Sequence, residues 1–214
     1  MFLIGELLVE IIKWLKMGMA KYISQTFQKE WKGTEDKDHD YKSLMQKRTI
    51  EYRKETLAVV KIARPTNISG ARQIGYKAKK GIIVARVRVR KGSGTYARPK
   101  NKRRPKRQGQ EKLTRKKSTQ AMAEEKASKK FENTEVLGSY KIAEDGRSHY
   151  YEIVLADRDS SVIAKDKELR FLKHGQQGRA ERGKTFAGKV NKEDNKKTIR
   201  KKKYKKGIQN NHSK

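Results

Sequence analysis

Between Thr56 and Gln110 the chain runs 55 residues without an aspartate or a glutamate, and 17 of those residues are lysine or arginine. Spreading the 24 acids evenly over 214 residues would place about six in such a window (24 × 55/214). A fold cannot neutralise this stretch from within it. Its cations need carboxylates from elsewhere in the chain or phosphates from a polyanion. By contrast, Ser118–Leu172 holds 9 basic and 11 acidic residues and reads as an ordinary soluble fold. The positive excess is therefore regional.

The chain as a whole carries 56 basic and 24 acidic residues, a formal charge of +32. Only 34% of it is hydrophobic, against about 45–50% in typical globular domains. Such a chain folds a modest core and leaves the rest solvated or laid against something acidic. Nucleic acid is the polyanion with enough surface for that charge. Two segments concentrate it. Arg98–Lys117 carries eleven basic residues against Glu111, and Lys189–Gly207 carries ten against Glu193 and Asp194. Neither holds enough apolar surface to offset its ordering entropy. One reading is a disordered solubilising or targeting tail. The preferred one is arms that order on RNA or DNA, because Pro99 and Pro105 stiffen the first into an extended reach.

The resulting organisation is a single RNA-binding domain over 19–188, with an extended basic arm at about 91–117 and a basic tail at 189–214 that is disordered when free. Residues 1–18 (MFLIGELLVEIIKWLKMG) form an amphipathic extension interrupted by Glu6, Glu10, Lys13 and Lys16. It reads as a helix that contacts a partner or membrane, as one packed on the core, or as residues upstream of a start at Met19. No apolar run reaches the 18 or more residues of a membrane span, so no membrane is expected. The chain has no cysteine, which removes disulfides and thiol chemistry.

Periodicity predicts an α+β fold: a small, mostly antiparallel sheet with packed helices. Helices are expected at Met19–Trp31, Asp40–Glu55, Ser69–Lys77 (capped by Thr66 or Ser69) and Ser118–Phe131, with a short turn around Lys165–Leu172. Met19–Trp31 places Tyr22, Ile23, Phe27 and Trp31 on one face, and Asp40–Glu55 does the same with Tyr41, Leu44, Met45, Ile50 and Tyr52. Strands are expected at Leu57–Ala63, Ile82–Arg90, Val136–Ala143 and Tyr150–Ala156. Asp145-Gly146 is placed as the two-residue turn of the last hairpin.

Ile82–Arg90 (IIVARVRVR) alternates Ala85, Val87 and Val89 against Arg86, Arg88 and Arg90. Three guanidinium groups on one strand face repel one another unless acids or an anion lie across them. Acidic cross-strand partners are one answer, but the surrounding window offers none. RNA backbone is the better match, since the planar donor fork of arginine fits phosphate. Tyr76 sits among Lys77, Lys79 and Lys80, a pattern that suits either base stacking amid phosphate contacts or a core tyrosine. Gly92-Ser93-Gly94 reads as a flexible exit into the arm. Gly175–Lys189 interleaves glycines with Arg179, Arg182, Lys184 and Lys189. It reads as a backbone able to approach phosphates closely, or as a plain linker.

Enzymatic constellations are weak. His39, His149, His174 and His212 are scattered, and none shares metal-ligand spacing with another. Asp157 and Asp159 face one side of an extended segment, a pattern better explained by a turn than by magnesium. No catalytic site, metal, cofactor or small-molecule substrate is expected.

Several motifs in fixed order resemble a known family. Arg64-Pro65-Thr66 precedes Ala71-Arg72-Gln73-Ile74-Gly75-Tyr76-Lys77-Ala78-Lys79-Lys80-Gly81, and the arginine-alternating strand follows. Then come Arg103-Arg104-Pro105-Lys106-Arg107, Glu135-Val136-Leu137-Gly138-Ser139-Tyr140 and Arg179-Ala180-Glu181-Arg182-Gly183-Lys184-Thr185. Together, from roughly Met19 to Lys189, they resemble the archaeal and eukaryotic large-subunit ribosomal proteins of the L-fifteen-e family. The resemblance departs at Ser69-Gly70, where an acidic and a basic residue are usual, and at Ile74, where leucine is usual.

The resemblance implies a structural constituent of the cytoplasmic large ribosomal subunit, with rRNA and neighbouring ribosomal proteins as partners and no enzymatic activity. The residues expected on RNA are Arg72, Tyr76, Lys77, Lys79, Lys80, Arg86, Arg88, Arg90, Arg98, Lys100, Arg103, Arg104, Lys106, Arg107, Arg179, Arg182 and Lys184. A DNA-compacting chromatin protein and a non-ribosomal RNA-binding protein are the alternatives that composition permits.

Overall fold

The computed structural model describes residues 19–36, 39–94, 102–109, 115–173 and 175–192. The 1–18 extension, Pro99 and the tail beyond 192 lie outside them. In chain order the elements are helix α1 (Met19–Lys32), two-residue strands β1 (Glu35–Asp36) and β2 (His39–Asp40), helix α2 (Tyr41–Lys54), strand β3 (Val59–Ile62), helix α3 (Ile68–Gln73), strand β4 (Ile82–Arg90), helix α4 (Thr119–Lys130), strands β5 (Thr134–Glu144) and β6 (Ser148–Asp157), and helix α5 (Ser161–Lys165). Short 3-10 turns lie at Pro105–Arg107 and Arg170–Lys173, and a helical segment follows at 186–192.

The alternation in β4 sets the layers. The strands form one antiparallel sheet in the order β3-β4-β6-β5. On one face Ala85, Val87 and Val89 pack with Ile153 and Leu155 against Ala123 and Ala127 of α4. The alanines let the helix approach closely, and each buried Ile or Leu stabilises by about 1.5–3 kcal/mol. On the other face Tyr52 of α2 meets Ile142, Ala143 and Tyr150, with the Tyr52 and Tyr150 rings 5.5 Å apart. Ala156, Ile163, Leu169 and Leu172 close the end of the sheet where β4 begins. The fold is α+β, as periodicity predicted.

Local chemistry explains where boundaries moved. Asp40 caps α2 and Ser118 caps α4, each accepting a backbone N–H three residues on. Asn67, neither Thr66 nor Ser69, caps α3 by accepting from the Gly70 N–H, so the helix begins at Ile68. It stops at Gln73, because Gly75 turns to a φ of +98°. The turn expected around Lys165–Leu172 splits in two at Asp166, whose carboxylate accepts the Glu168 N–H and so competes with the helix. The hairpin corner holds Gly146 and Arg147, one residue later than expected. The Asp145 carboxylate accepts from the Arg147 and Ser148 N–H groups, and its own N–H donates to the Ser148 carbonyl. Trp31 and Ile50 are exposed rather than joining their helices' inner faces, and Lys141 lies over the Trp31 ring at 5.5 Å.

Candidate nucleic-acid interface

Among the described residues, three glutamates sit inside the fold. Glu124, Glu135 and Glu152 are 1%, 2% and 0% exposed, which a carboxylate tolerates only with partners. Glu152 on β6 accepts the Thr66 N–H at 2.9 Å and the Thr66 hydroxyl at 2.5 Å, and also the Tyr140 hydroxyl. Burial and the adjacent Glu152 charge push the Tyr140 phenol well up. Glu135 on β5 accepts the backbone N–H groups of Gly178 and Arg179 at 2.9 and 3.1 Å. Glu124 on α4 accepts the hydroxyls of Ser139 and Thr185, both at 2.5 Å. Burial raises its pKa. Each of these carboxylates pins a loop that carries basic residues.

The arginine stripe of β4 is divided. Arg86 is ion-paired with Glu55 through its Nε at 3.1 Å and through Nη2. Its guanidinium also lies 4.0 Å from the centre of the Tyr52 ring. The missing carboxylate thus comes from the residue bordering the acid-free window. Arg88 donates to the backbone carbonyls of Glu55 and Thr56 at 3.1 and 3.4 Å. Arg90 is exposed at the strand's end.

The Lys77 turn lies at the opposite end of β4. Lys77 contacts both carboxylate oxygens of Asp166 at 2.9 Å and Glu168 at 2.8 Å, and Lys79 reaches Asp166 at 3.1 Å. The lysines hold the Asp166 carboxyl far below the usual carboxylate range. Lys80 and Arg72 are exposed and Tyr76 is half-buried. Lys77 and Lys79 therefore already hold internal partners.

The arm departs after Arg90 and returns at Arg115, whose Nη1 donates to the Arg90 carbonyl at 3.1 Å. Lys91 fixes the outgoing side through its N–H to the Arg147 carbonyl at 2.7 Å. Gly92 and Gly94 both take left-handed φ angles, with open space around each. Within the arm, Arg103, Arg104, Lys106 and Arg107 are all exposed. Pro105 does not extend this stretch. It opens the 3-10 turn Pro105–Arg107, a position its fixed φ suits. Arg98 and Lys100 lie outside the described residues.

The glycine-rich segment is not a free linker. It is held at Glu135 of β5, then by Thr185 on Glu124 of α4, then by Asn191, whose side chain accepts the N–H of Ser118, the α4 cap, at 3.2 Å. A Cβ on Gly188 would sit 2.5 Å from the Gly183 Cα, so these glycines let the backbone approach itself. Arg179 is half-buried, donating to the Val136 carbonyl at 3.2 Å and stacking 5.1 Å from the Phe171 ring. Arg182 and Lys184 are exposed.

The residues singled out by sequence thus fall into two groups. Arg86, Lys77, Lys79 and Arg179 face acids, carbonyls or rings of the fold. Arg72, Lys80, Arg90, Arg103, Arg104, Lys106, Arg107, Arg182 and Lys184 present their charge outward, with the partly covered Arg88 between the groups. Sequence reasoning missed Arg115 as the root of the arm and the inward carboxylates of Glu124, Glu135, Glu152 and Asp166. Glu152 had a signal, since it is the one charge within the apolar run Tyr150–Ala156. Asp157 accepts the Asp159 N–H at 3.0 Å, as a turn does. Among the described residues no group of three or more His, Asp or Glu is placed to hold a metal, and no helix is long and apolar enough to cross a membrane.

The family model Ribosomal L15, of the L15e type, matches residues 18–212. The match extends past Lys189 through the basic tail, further than the motifs alone reached. The chain is 47% identical over 149 residues to large ribosomal subunit protein eL15 of Metallosphaera sedula, covering 69% of this chain and 68% of that one. It is 50% identical over 147 residues to large ribosomal subunit protein eL15 of Methanocella arvoryzae, covering 68% of this chain and 74% of the relative. With most of its length matched in this way, the chain belongs to the L15e family of ribosomal proteins.

Proposed function

We propose that this protein is a structural constituent of the cytoplasmic large ribosomal subunit, where it binds folded rRNA beside neighbouring ribosomal proteins and performs no catalysis. Family membership supports the ribosomal role. One observation supports the mode of binding. Glu152, Glu135, Glu124, Glu55 and Asp166 face the fold, onto Thr66, the Gly178–Arg179 backbone, Thr185, Arg86 and Lys77, while Arg72, Lys80, Arg90, Arg103, Arg104, Lys106, Arg107, Arg182 and Lys184 are exposed.

In this reading Arg72, Lys80, Arg88, Arg90, Arg182 and Lys184 grip phosphates from the domain over 19–188. Arg98, Lys100, Arg103, Arg104, Lys106 and Arg107 grip them from the arm, and the tail adds its own cations. Arg86, Lys77, Lys79 and Arg179 set the shape of the surface, and Tyr76 lies beside it. Phosphate contacts of this kind position a protein without reading bases. The test is a salt titration of binding to large-subunit rRNA fragments and to duplex DNA of equal length. Preference for the rRNA, with a steep negative slope in log K against log salt, fits the proposal. Equal affinity for both would favour a DNA-compacting role.

A further inference from the structure

Phe186 is the most exposed of the large hydrophobic side chains among the described residues, at 77%, and Val190 one helical turn on is 42% exposed. Their backbone is not loose. Thr185 before the ring is held by the buried Glu124, while Ala187 after it is 5% exposed and Gly188 lies against Gly183. The fold thus grips the chain on both sides of an aromatic ring that it leaves in water. Arg182, Lys184, Lys189 and Lys192, near it in sequence, are exposed, and Glu181 is the only acid from 178 to 192.

We infer that Phe186 is a stacking platform for an unpaired RNA base, with Lys184 and Lys189 on the flanking phosphates. This rests on the RNA-binding reading above and adds a mode of contact to it. An apolar protein surface covering Phe186 would have to take in Lys189, on the same helix face, and Lys184, two residues before the ring. A single strand satisfies both features, since a base offers its face to the ring while its backbone meets the charges. Lys189 and Val190 follow Phe186 by three and four residues, the spacing that shares a helix face.

The test uses the full chain, a single-stranded oligoadenylate of about 12 nucleotides and an RNA duplex of about 12 base pairs. Phe186→Ala is expected to weaken single-strand binding by about 5- to 100-fold, leaving duplex binding and the salt slope unchanged. Phe186→Tyr keeps the affinity. Lys184→Ala combined with Lys189→Ala lowers the single-strand salt slope by about 1.4. If the lysine pair lowers the slope while Phe186→Ala binds like the parent, the ring does not stack, though the RNA reading stands. An equal loss on single strand and duplex would also overturn the stacking proposal. If salt and every variant leave binding unmoved, the RNA reading itself fails.

Discussion

The Arg115 guanidinium donates to the Arg90 backbone carbonyl at 3.1 Å, so the basic arm leaves the sheet and rejoins it at one point. Without such a tie, a self-repelling segment would spread the ends of its loop. Here the loop is closed at its root by one of its own cations, beside the Arg147 carbonyl that holds Lys91. Arg103, Arg104, Lys106 and Arg107, all exposed, lie between these two anchored ends.

Replacing Arg115 by alanine should loosen the arm without unfolding the domain. The bond is exposed, so its loss is expected to change stability by about 1 kcal/mol or less. Limited trypsin digestion should cut faster between Lys91 and Lys117 in the variant than in the parent. Equal cutting would mean the arm is not held at its root.

Arg86 and Arg90 lie on the same strand face, yet their variants should behave differently. Arg86→Ala removes the pairing with Glu55 and the contact with the Tyr52 ring, and should cost about 1–3 kcal/mol in denaturant unfolding. Arg90→Ala should leave stability within about 0.5 kcal/mol. It should instead lower the salt slope of RNA binding by about one.

Glu124 has a raised pKa because of burial, so the folded state favours its protonated form. Its stabilising contribution is complete below the ordinary carboxylate range and is lost as pH rises through the raised value. Glu124→Gln mimics the neutral form at every pH. Its stability relative to the parent should therefore be highest at neutral pH and shrink as pH falls toward 4, read as the difference in thermal midpoints. Glu124→Ala strands the Ser139 and Thr185 hydroxyls and should cost about 2–3 kcal/mol.

Asp166 behaves in the opposite sense. Its pKa is lowered, chiefly by Lys77 and then by the Glu168 N–H and Lys79, so its contribution is present above the ordinary carboxylate range and lost in acid. Asp166→Asn should remove that loss from the acid limb of the stability profile. It should also free Lys77 and Lys79, steepening the salt dependence of RNA binding. An unchanged slope would mean that these lysines keep to Glu168 or to solvent.

Much of the fold follows from local pattern. Alternation at Ile82–Arg90 defines the central strand and both of its faces, and Asp40 and Ser118 mark helix starts by their capping chemistry. The pairing of Arg86 was hidden because Glu55 lies 31 residues away and just outside the acid-free window. The roles of Glu124 and Glu135 were hidden because a carboxylate in a charged sequence reads as surface. Only the fold brings Thr185 and the Gly178 N–H to them, across 61 and 43 residues. The glycines at 183 and 188 marked a close approach, but not that the partner is the chain itself.

The central claim is that the outward cations hold this protein on large-subunit rRNA while the inward-facing ones build the surface. The most direct measurement is sucrose-gradient sedimentation of lysate after a moderate-salt wash. It would compare the parent with a variant neutralised at Arg90, Arg104, Arg107, Arg182 and Lys184. The account predicts that the parent travels with the large subunit and that the folded variant is released at lower salt. A parent that stays at the top of the gradient or follows DNA, or a variant retained as firmly as the parent, would contradict it.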